Sequence, residues 1–255
     1  MLLSRKNPRS APPAPKLAVS DIYYSLMVAR EFPTAVQEAW REVRRKSLTY
    51  TTPSQLLSLM RLCHEMELSK EPGSIIEAGC ARGGSAILLC AVKSRHRPLA
   101  VYDVFGAIPP PSEHDGADLH ERYEAISSGR AQGLGGGLHY SYEADLYESV
   151  RLAFVEFGHP PEERNVTLIK GKVQDTLRVT EPVCLAHIDV DWYEPVTACL
   201  EQIVPALTAR GAVVIHAYGD WSGSRKATDE YFERAPRDAF SFDDSPGHLV
   251  IRRRA

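Results

Sequence analysis

Hydrophobic positions along the chain change their period at about residue 70. From Asp21 to Lys70 apolar residues recur at helical spacing, as in SQLLSLMRLCHEMEL, where Leu56, Leu57, Met60, Leu62, Cys63 and Met66 fall into a helical pattern. The turn-forming TYTTPS breaks this region in two. From Ser74 onward, short apolar runs alternate with helical ones. The short runs predict strands over Ser74–Ala78, Leu99–Asp103, Val166–Lys170, Val183–Val190 and Ala212–Ala217. Val196, Cys199, Leu200, Ile203 and Leu207 share one face of a predicted helix over Val196–Leu207, with Gly211 as its stop signal. Ala239–Phe242 and His248–Arg252, joined by DDSPG, predict a hairpin on the sheet edge. Strands separated by helices imply an α/β fold: a mostly parallel sheet with helices on both faces, preceded by an N-terminal helical cap over 21–70.

Residues 106–149 interrupt this rhythm with IPPPSEHDG and GRAQGLGGGLHYSY, too rich in Gly and Pro for core structure. An insertion this long, at the carboxyl edge after the second strand, suits a lid over substrate, a plain disordered loop being the alternative. Tyr123, His139, Tyr140 and Tyr142 are its candidate contacts. Residues 1–20 are Pro-rich and read as a disordered arm, leaving 21–255 as a single domain. A net charge of −3 argues against a nucleic-acid partner. No apolar stretch approaches the ~20 residues that span a bilayer, and the first sixteen residues carry too short an apolar run for a signal peptide. Five cysteines, with no C-x-x-C, fit buried thiols in a reducing, cytoplasmic setting.

Chemistry concentrates first in SIIEAGCARGGS, residues 74–85. A strand that runs through a glycine turn into the helical AILLCAV lets backbone N–H groups approach a ligand closely. Glu77 precedes the turn, and Asp103 ends the next strand, where an acid can hold the ribose hydroxyls of a nucleoside. The spacing E-x-G-x-x-x-G-G differs from G-x-G-x-x-G and from the P-loop. It resembles the first motif of class I S-adenosylmethionine (SAM) methyltransferases.

Ligands of parallel sheets bind beyond the carboxyl ends of the strands. One such end is AHIDVDWYEP, where period-2 alternation puts His187, Asp189 and Asp191 on one face. Acids leaving a buried strand need a partner or a cation. Another is AVVIHAYGDW, which places His216 at the next strand end. If these strands are neighbours, Asp189 and His216 can meet, making His216 a candidate general base.

From about Tyr50 to Phe232 the chain resembles the macrocin O-methyltransferase family of sugar O-methyltransferases in antibiotic biosynthesis. The matching segments are IIEAGCARGGSAILL, VYDVFGAIPPP, LIKGKVQDTL, HIDVDWYEPV and AYGDWSGSRKATDEYF. The resemblance implies a class I (Rossmann-like) methyltransferase fold, SAM as methyl donor, a glycosylated small-molecule acceptor and a homo-oligomer. By position it implies cofactor contacts at Glu77, Gly79, Gly83, Ser85 and Asp103, at Lys172, Gln174 and Asp175 near the adenine, and at Thr51 in a segment that closes over the cofactor. Family members carry Asp-Asp-Tyr where this chain has His216-Ala217-Tyr218, and those acids, with the one matching Asp189, bind magnesium. One carboxylate and one imidazole, Asp189 and His216, suit magnesium poorly. Asp191 could add an oxygen, and a softer divalent metal is the open alternative.

The expected reaction is SAM-dependent methylation of a sugar hydroxyl, with His216 taking the proton and Asp189 orienting it. Two rivals stand beside it. A carboxyl methyltransferase, with Arg225 or Lys226 orienting the acceptor, would need neither metal nor base. A SAM-binding protein that does not methylate would also tolerate the altered acids.

Overall fold

The computed structural model describes residues 19–254. The expected arm therefore lies outside the described residues, apart from Val19 and Ser20, which open the first helix. Three helices form the N-terminal cap: α1 (Val19–Glu31), α2 (Thr34–Arg45) and α3 (Pro53–Leu68). Thr52 caps α3 in a reciprocal arrangement with Gln55, and Pro53 fits the first helical position because its missing N–H has no partner to lose there. The break read in TYTTPS is thus a helix start.

The alternating part follows as β1 (Ser74–Ala78), α4 (Gly84–Val92), β2 (Leu99–Asp103), α5 (Ala117–Ser127), α6 (Leu146–Glu156), β3 (Val166–Lys170), α7 (Val173–Thr176), β4 (Val183–Ile188), α8 (Tyr193–Ala206), β5 (Leu207–Ile215), α9 (Ser222–Arg234), β6 (Phe240–Asp243) and β7 (Leu249–Arg253). The sheet order is β3-β2-β1-β4-β5-β7-β6, with β7 and β6 antiparallel at one edge as the hairpin reading expected. The chain reverses direction between β1 and β4, and ligands of such sheets sit at that crevice.

Alternation along the strands divides the core in two. Ile75, Val101 and Val214 face the cap helices, whereas Ile76, Tyr102 and Val213 face α8 and α9. Helix α4 is buried on every side, with Ala86, Ile87, Leu88, Leu89 and Cys90 all sealed between the sheet and α2 and α3. All five cysteines are free and buried.

Several element ends from β4 onward shift by one to three residues, and two larger differences from the expectation stand out. Gly211 does not stop a helix. Helix α8 spans Tyr193–Ala206, and β5 begins at Leu207, which pairs with Val183. The ladder then shifts register before Ala212 pairs with Leu185, so Gly211 lies in a bulge within β5. The stretch 106–149 also holds more structure than its composition suggested, including the eleven-residue α5. It is fastened to the body by Trp192 Nε1, which donates to the Pro109 carbonyl, and by Asp115, which accepts from the Tyr193 N–H. Asp118 accepts from both the N–H and the hydroxyl of Ser222 at the start of α9.

Candidate active site

At the end of β1 the chain turns through Gly79 with φ +86. A Cβ there would stand 2.1 Å from the Asp189 carbonyl oxygen, so the close approach of β1 to the end of β4 requires glycine. Gly83, with φ +85, then caps α4. Asp103 secures this turn from the neighbouring strand. Its Oδ2 accepts from the N–H groups of Cys80 (2.8 Å) and Ala81 (3.2 Å), and its Oδ1 from Phe105 (2.7 Å). Burial pushes the Asp103 carboxyl up, and the three backbone donors oppose that shift. A carboxylate offers about four acceptor positions, so one is left for a ligand.

Two cavities open above this turn and share Gly79, Asp103, Arg122, Tyr140, Asp189 and Asp191. The first extends over Lys172, Gln174 and Trp192 beneath Ile108 and Pro109 of the lid. The second extends over Thr49, Tyr50, Ser85, His216 and Asp220. The sequence-derived residues Gly79, Ser85, Asp103, Lys172, Gln174, Asp189, Asp191 and His216 therefore converge on one place. Glu77, Thr51, Gly83 and Asp175 do not line it. Thr51 is sealed and bonded to the Thr49 hydroxyl, Asp175 is exposed outside, and Glu77 lies wholly inside the protein. Of the lid aromatics, Tyr140 faces both cavities, while Tyr142 holds the lid together through the Ile126 carbonyl.

Asp189 and Asp191 reach the shared wall differently from the alternation argument. Strand β4 ends at Ile188, and Asp191 adopts φ 55, in the left-handed region. A turn, not strand alternation, brings Asp191 back to the cavity. Asp is one of the few residues that tolerate this conformation, here at the wall of a ligand cavity. Burial raises both carboxyls above the usual range. Each also feels acid neighbours, while His187 opposes the rise at Asp189 and Arg122 at Asp191. Two half-buried acids on one cavity wall favour a shared proton or a cationic ligand.

Strands β4 and β5 are neighbours, as the meeting of Asp189 and His216 required. The hydrogen-bond partner of His216 is nonetheless His187, not Asp189: His187 Nε2 and His216 Nδ1 lie 3.4 Å apart. His187 is completely buried, and its Nδ1 lies 3.2 Å from Glu77 Oε2, close enough for an ion pair though not aligned as a hydrogen bond. Glu77 also accepts from the Ser85 hydroxyl. Burial alone would lower His187, but Glu77 and Asp189 outweigh it and hold the imidazole above its ordinary value. Burial and the neighbouring His187 push His216 down to about 3. His187 had been noted as sharing a face with the acids but given no role. The signal that assigns one is its register partner Glu77 across β1 and β4.

Donor atoms of His187, Asp189 and His216 lie within 4.8 Å of one another. Magnesium takes oxygen ligands in octahedral geometry, and this set by itself offers one carboxylate beside two imidazoles that face each other, with Asp191 and Asp220 as further carboxylates on the same cavity but outside the cluster. Ala217, buried in the second cavity, supplies no ligand. The donor set does not fit magnesium. A nucleoside cofactor fits better: Gly79 of the glycine cradle, the Asp103 acceptor and the acid pair Asp189 and Asp191 form the wall that the two cavities share.

The family model for macrocin-O-methyltransferase (TylF) matches residues 25–238. The chain is 31% identical over 169 residues to the 8-demethyl-8-(2,3-dimethoxy-alpha-L-rhamnosyl)-tetracenomycin-C 4'-O-methyltransferase of Streptomyces olivaceus; the match covers 64% of this chain and 59% of that one. Among solved structures, the O-methyltransferase NovP superposes with a TM-score of 0.67 at 21% identity, covering 92% of this chain and 99% of NovP. The methyltransferase PaMTH1 of Podospora anserina, solved with S-adenosylhomocysteine (SAH), superposes with a TM-score of 0.55 at 16% identity over the whole of both chains. These likenesses establish the class I methyltransferase fold.

Proposed function

The chain belongs to the macrocin-O-methyltransferase (TylF) family, and we propose that it methylates a sugar hydroxyl of a glycosylated natural product with SAM as donor. The observation that carries this reading is the pair of cavities meeting at Asp189 and Asp191, with His216 opening on the second alone. The first cavity suits the nucleoside, with Asp103 for the ribose and Lys172 and Gln174 beside the base. The second takes the amino-acid end of the donor at the glycine turn and the acceptor beyond it, toward His216 and Asp220.

SAM supplies an electrophilic methyl on a sulfonium, whose transfer to oxygen leaves the bonding electron pair on neutral SAH. The rest falls to the protein. Asp189 and Asp191 offer negative charge to the cationic centre, and the cradle and lid hold the two reactants in line, which supplies much of the acceleration. Tyr140 and the anchored lid exclude water. His216 accepts the hydroxyl proton, so no divalent metal is needed for that step.

The acceptor cavity also weighs against a carboxylate substrate. Asp103, Asp189, Asp191 and Asp220 line it against the single cation Arg122, and a second anion would be repelled. Arg225 and Lys226 lie outside both cavities: Arg225 donates to the carbonyls of Tyr218 and Gly219, and Lys226 to that of His114. The test is a His216→Ala variant assayed against a panel of deoxysugar glycosides. SAH binding should persist while methyl transfer falls by about 10²–10⁴, the usual contribution of a general base. Undiminished turnover would remove His216 from the reaction.

A further inference from the structure

Four side chains stand in a row on the cap-facing side of the sheet, across β1, β4, β5 and β7. Glu77 pairs in register with His187, His187 neighbours His216 just beyond β5, and His248 follows just before β7. The row ends there, because His248 is tied to the Ser58 hydroxyl of the cap. The first two members are unusual in burial and in what they leave unmade. Glu77 and His187 are both 0% exposed, and Glu77 Oε2 and His187 Nδ1 have only each other. Burying a carboxylate and an imidazole is costly unless they compensate one another. A pair placed there for packing alone would be poorer than two apolar residues.

The ring of His216 faces both ways. Nδ1 meets His187 inside the protein, whereas Nε2 has no partner among the described residues and the ring lines the acceptor cavity. A separation of 3.4 Å is long for a hydrogen bond, but catalytic contacts often tighten only when the site is loaded.

We propose that Glu77 and His187 form a buried proton relay behind His216, fixing its tautomer and taking up the proton that it draws from the acceptor hydroxyl. Both are positioning residues, since neither touches substrate. In the resting relay His187 carries its proton on Nδ1, toward Glu77, and its Nε2 accepts from the Nδ1–H of His216. His216 Nε2 is thereby left with a free lone pair facing the acceptor. As the hydroxyl proton moves to His216 Nε2, the Nδ1 proton passes to His187 Nε2. The positive charge comes to rest on His187 against the Glu77 carboxylate, and His216 stays neutral. The steps reverse when the products leave and His216 Nε2 gives its proton to water.

The relay answers a difficulty in assigning His216 as base. His216 is half-buried at the cavity wall and, among the described residues, has no carboxylate hydrogen-bonded to it. His187 is wholly buried with Glu77 Oε2 3.2 Å from its Nδ1, which balances a positive charge there; Asp189, Asp220 and His248 are the other titratable groups around the two rings. The sequence-based choice of Asp189 as the orienting acid therefore passes to Glu77, acting through His187.

This inference rests on the proposed reaction, and its test separates the two. Selectively 15N-histidine-labelled protein saturated with SAH, which needs no acceptor, reports the tautomers at pH 8, with His216→Ala and His187→Gln assigning the signals. The relay requires His216 protonated on Nδ1 and bare on Nε2, with a slowly exchanging proton on His187 Nδ1. His216 protonated on Nε2 alone would overturn it, as would a zinc or cobalt ion bound between the two rings. In turnover with a deoxysugar glycoside, Glu77→Gln should lower kcat about a hundredfold, within the range for losing a base's support, and leave the KM for SAM within twofold. A raised KM for SAM with kcat intact would make Glu77 a cofactor contact and overturn the relay. If Glu77→Gln does not fold, His187→Gln carries the kinetic arm, with the same kcat loss expected. Absence of any hydroxyl methylation by the unaltered protein would sink the proposed function, and the tautomer measurement would still decide the relay.

Discussion

Asp103 grips the glycine turn of the neighbouring strand, accepting from Cys80 N–H at 2.8 Å, and Ala81 N–H shares the same oxygen. The acid at the end of β2 is therefore the splint that shapes the cradle, besides its proposed place at the ribose. Asp103→Asn would set an amide N–H₂ or a weaker acceptor against those donors. Hydrogen bonds to charged groups are worth about 1.5–3 kcal/mol, so SAH affinity should fall roughly ten- to a hundredfold and thermal stability should fall with it. Calorimetric titration with SAH checks this. An Asn variant with native affinity would mean that the cradle keeps its shape without the charge.

Gly79→Ala should be more damaging than its size suggests. The added methyl meets the Asp189 carbonyl at 2.1 Å in a left-handed backbone, and neither strand end can move without the other. Strain of about 1–3 kcal/mol is expected, lowering Tm by roughly 2–12 °C together with loss of SAH binding. Differential scanning calorimetry and titration on one sample would show whether the two effects travel together, as a shared wall demands.

The sequence carried the sheet better than the site. Strands β1, β2 and β3 fall on the expected residues because each is a short apolar run with a clear boundary. The expected β5 ran two residues past its end at Ile215 and began five residues after its start at Leu207, since the bulge around Gly211 looks like a helix stop when pairing is unknown. The convergence of Gly79, Asp103, Asp189 and His216 followed from strand ends alone. The role of His187 did not, because Glu77 and His187 are 110 residues apart and meet only through the crossover that sets β4 beside β1. Lid contacts were hidden for a similar reason: Asp115 and Asp118 bind backbone from α8 and α9, and no local pattern announces such partners.

Affinity for SAM relative to SAH should depend on pH. Burial holds Asp189 and Asp191 above the usual carboxylate range, so the empty site retains a proton that an exposed acid pair would have lost. As pH rises through their raised values the pair gains negative charge. The cationic sulfonium of SAM gains attraction, and the neutral thioether of SAH does not. The ratio of SAM to SAH association constants should therefore climb between pH 6 and pH 9. A flat ratio would show that neither carboxylate faces the sulfonium.

Restoring the family's acids should change how the enzyme uses metal. In the variant His216→Asp/Ala217→Asp three carboxylates would surround the position that Asp189 and His216 now share. Magnesium should then bind, and turnover, lost without the base, should return only when the ion is added. Isothermal titration with magnesium gives the direct readout: measurable binding by the double variant and none by the unaltered chain. Equal binding by both would contradict the account of the donor set.

The central claim is metal-free methylation of a sugar hydroxyl with a histidine base. It is tested most directly by incubating the unaltered protein with SAM and a panel of deoxysugar glycosides in excess EDTA, then characterising the product. The account predicts one SAH released per methyl transferred and a sugar methyl ether stable to mild base. A product that hydrolyses in mild base, or turnover that stops in EDTA and resumes with magnesium, would contradict it.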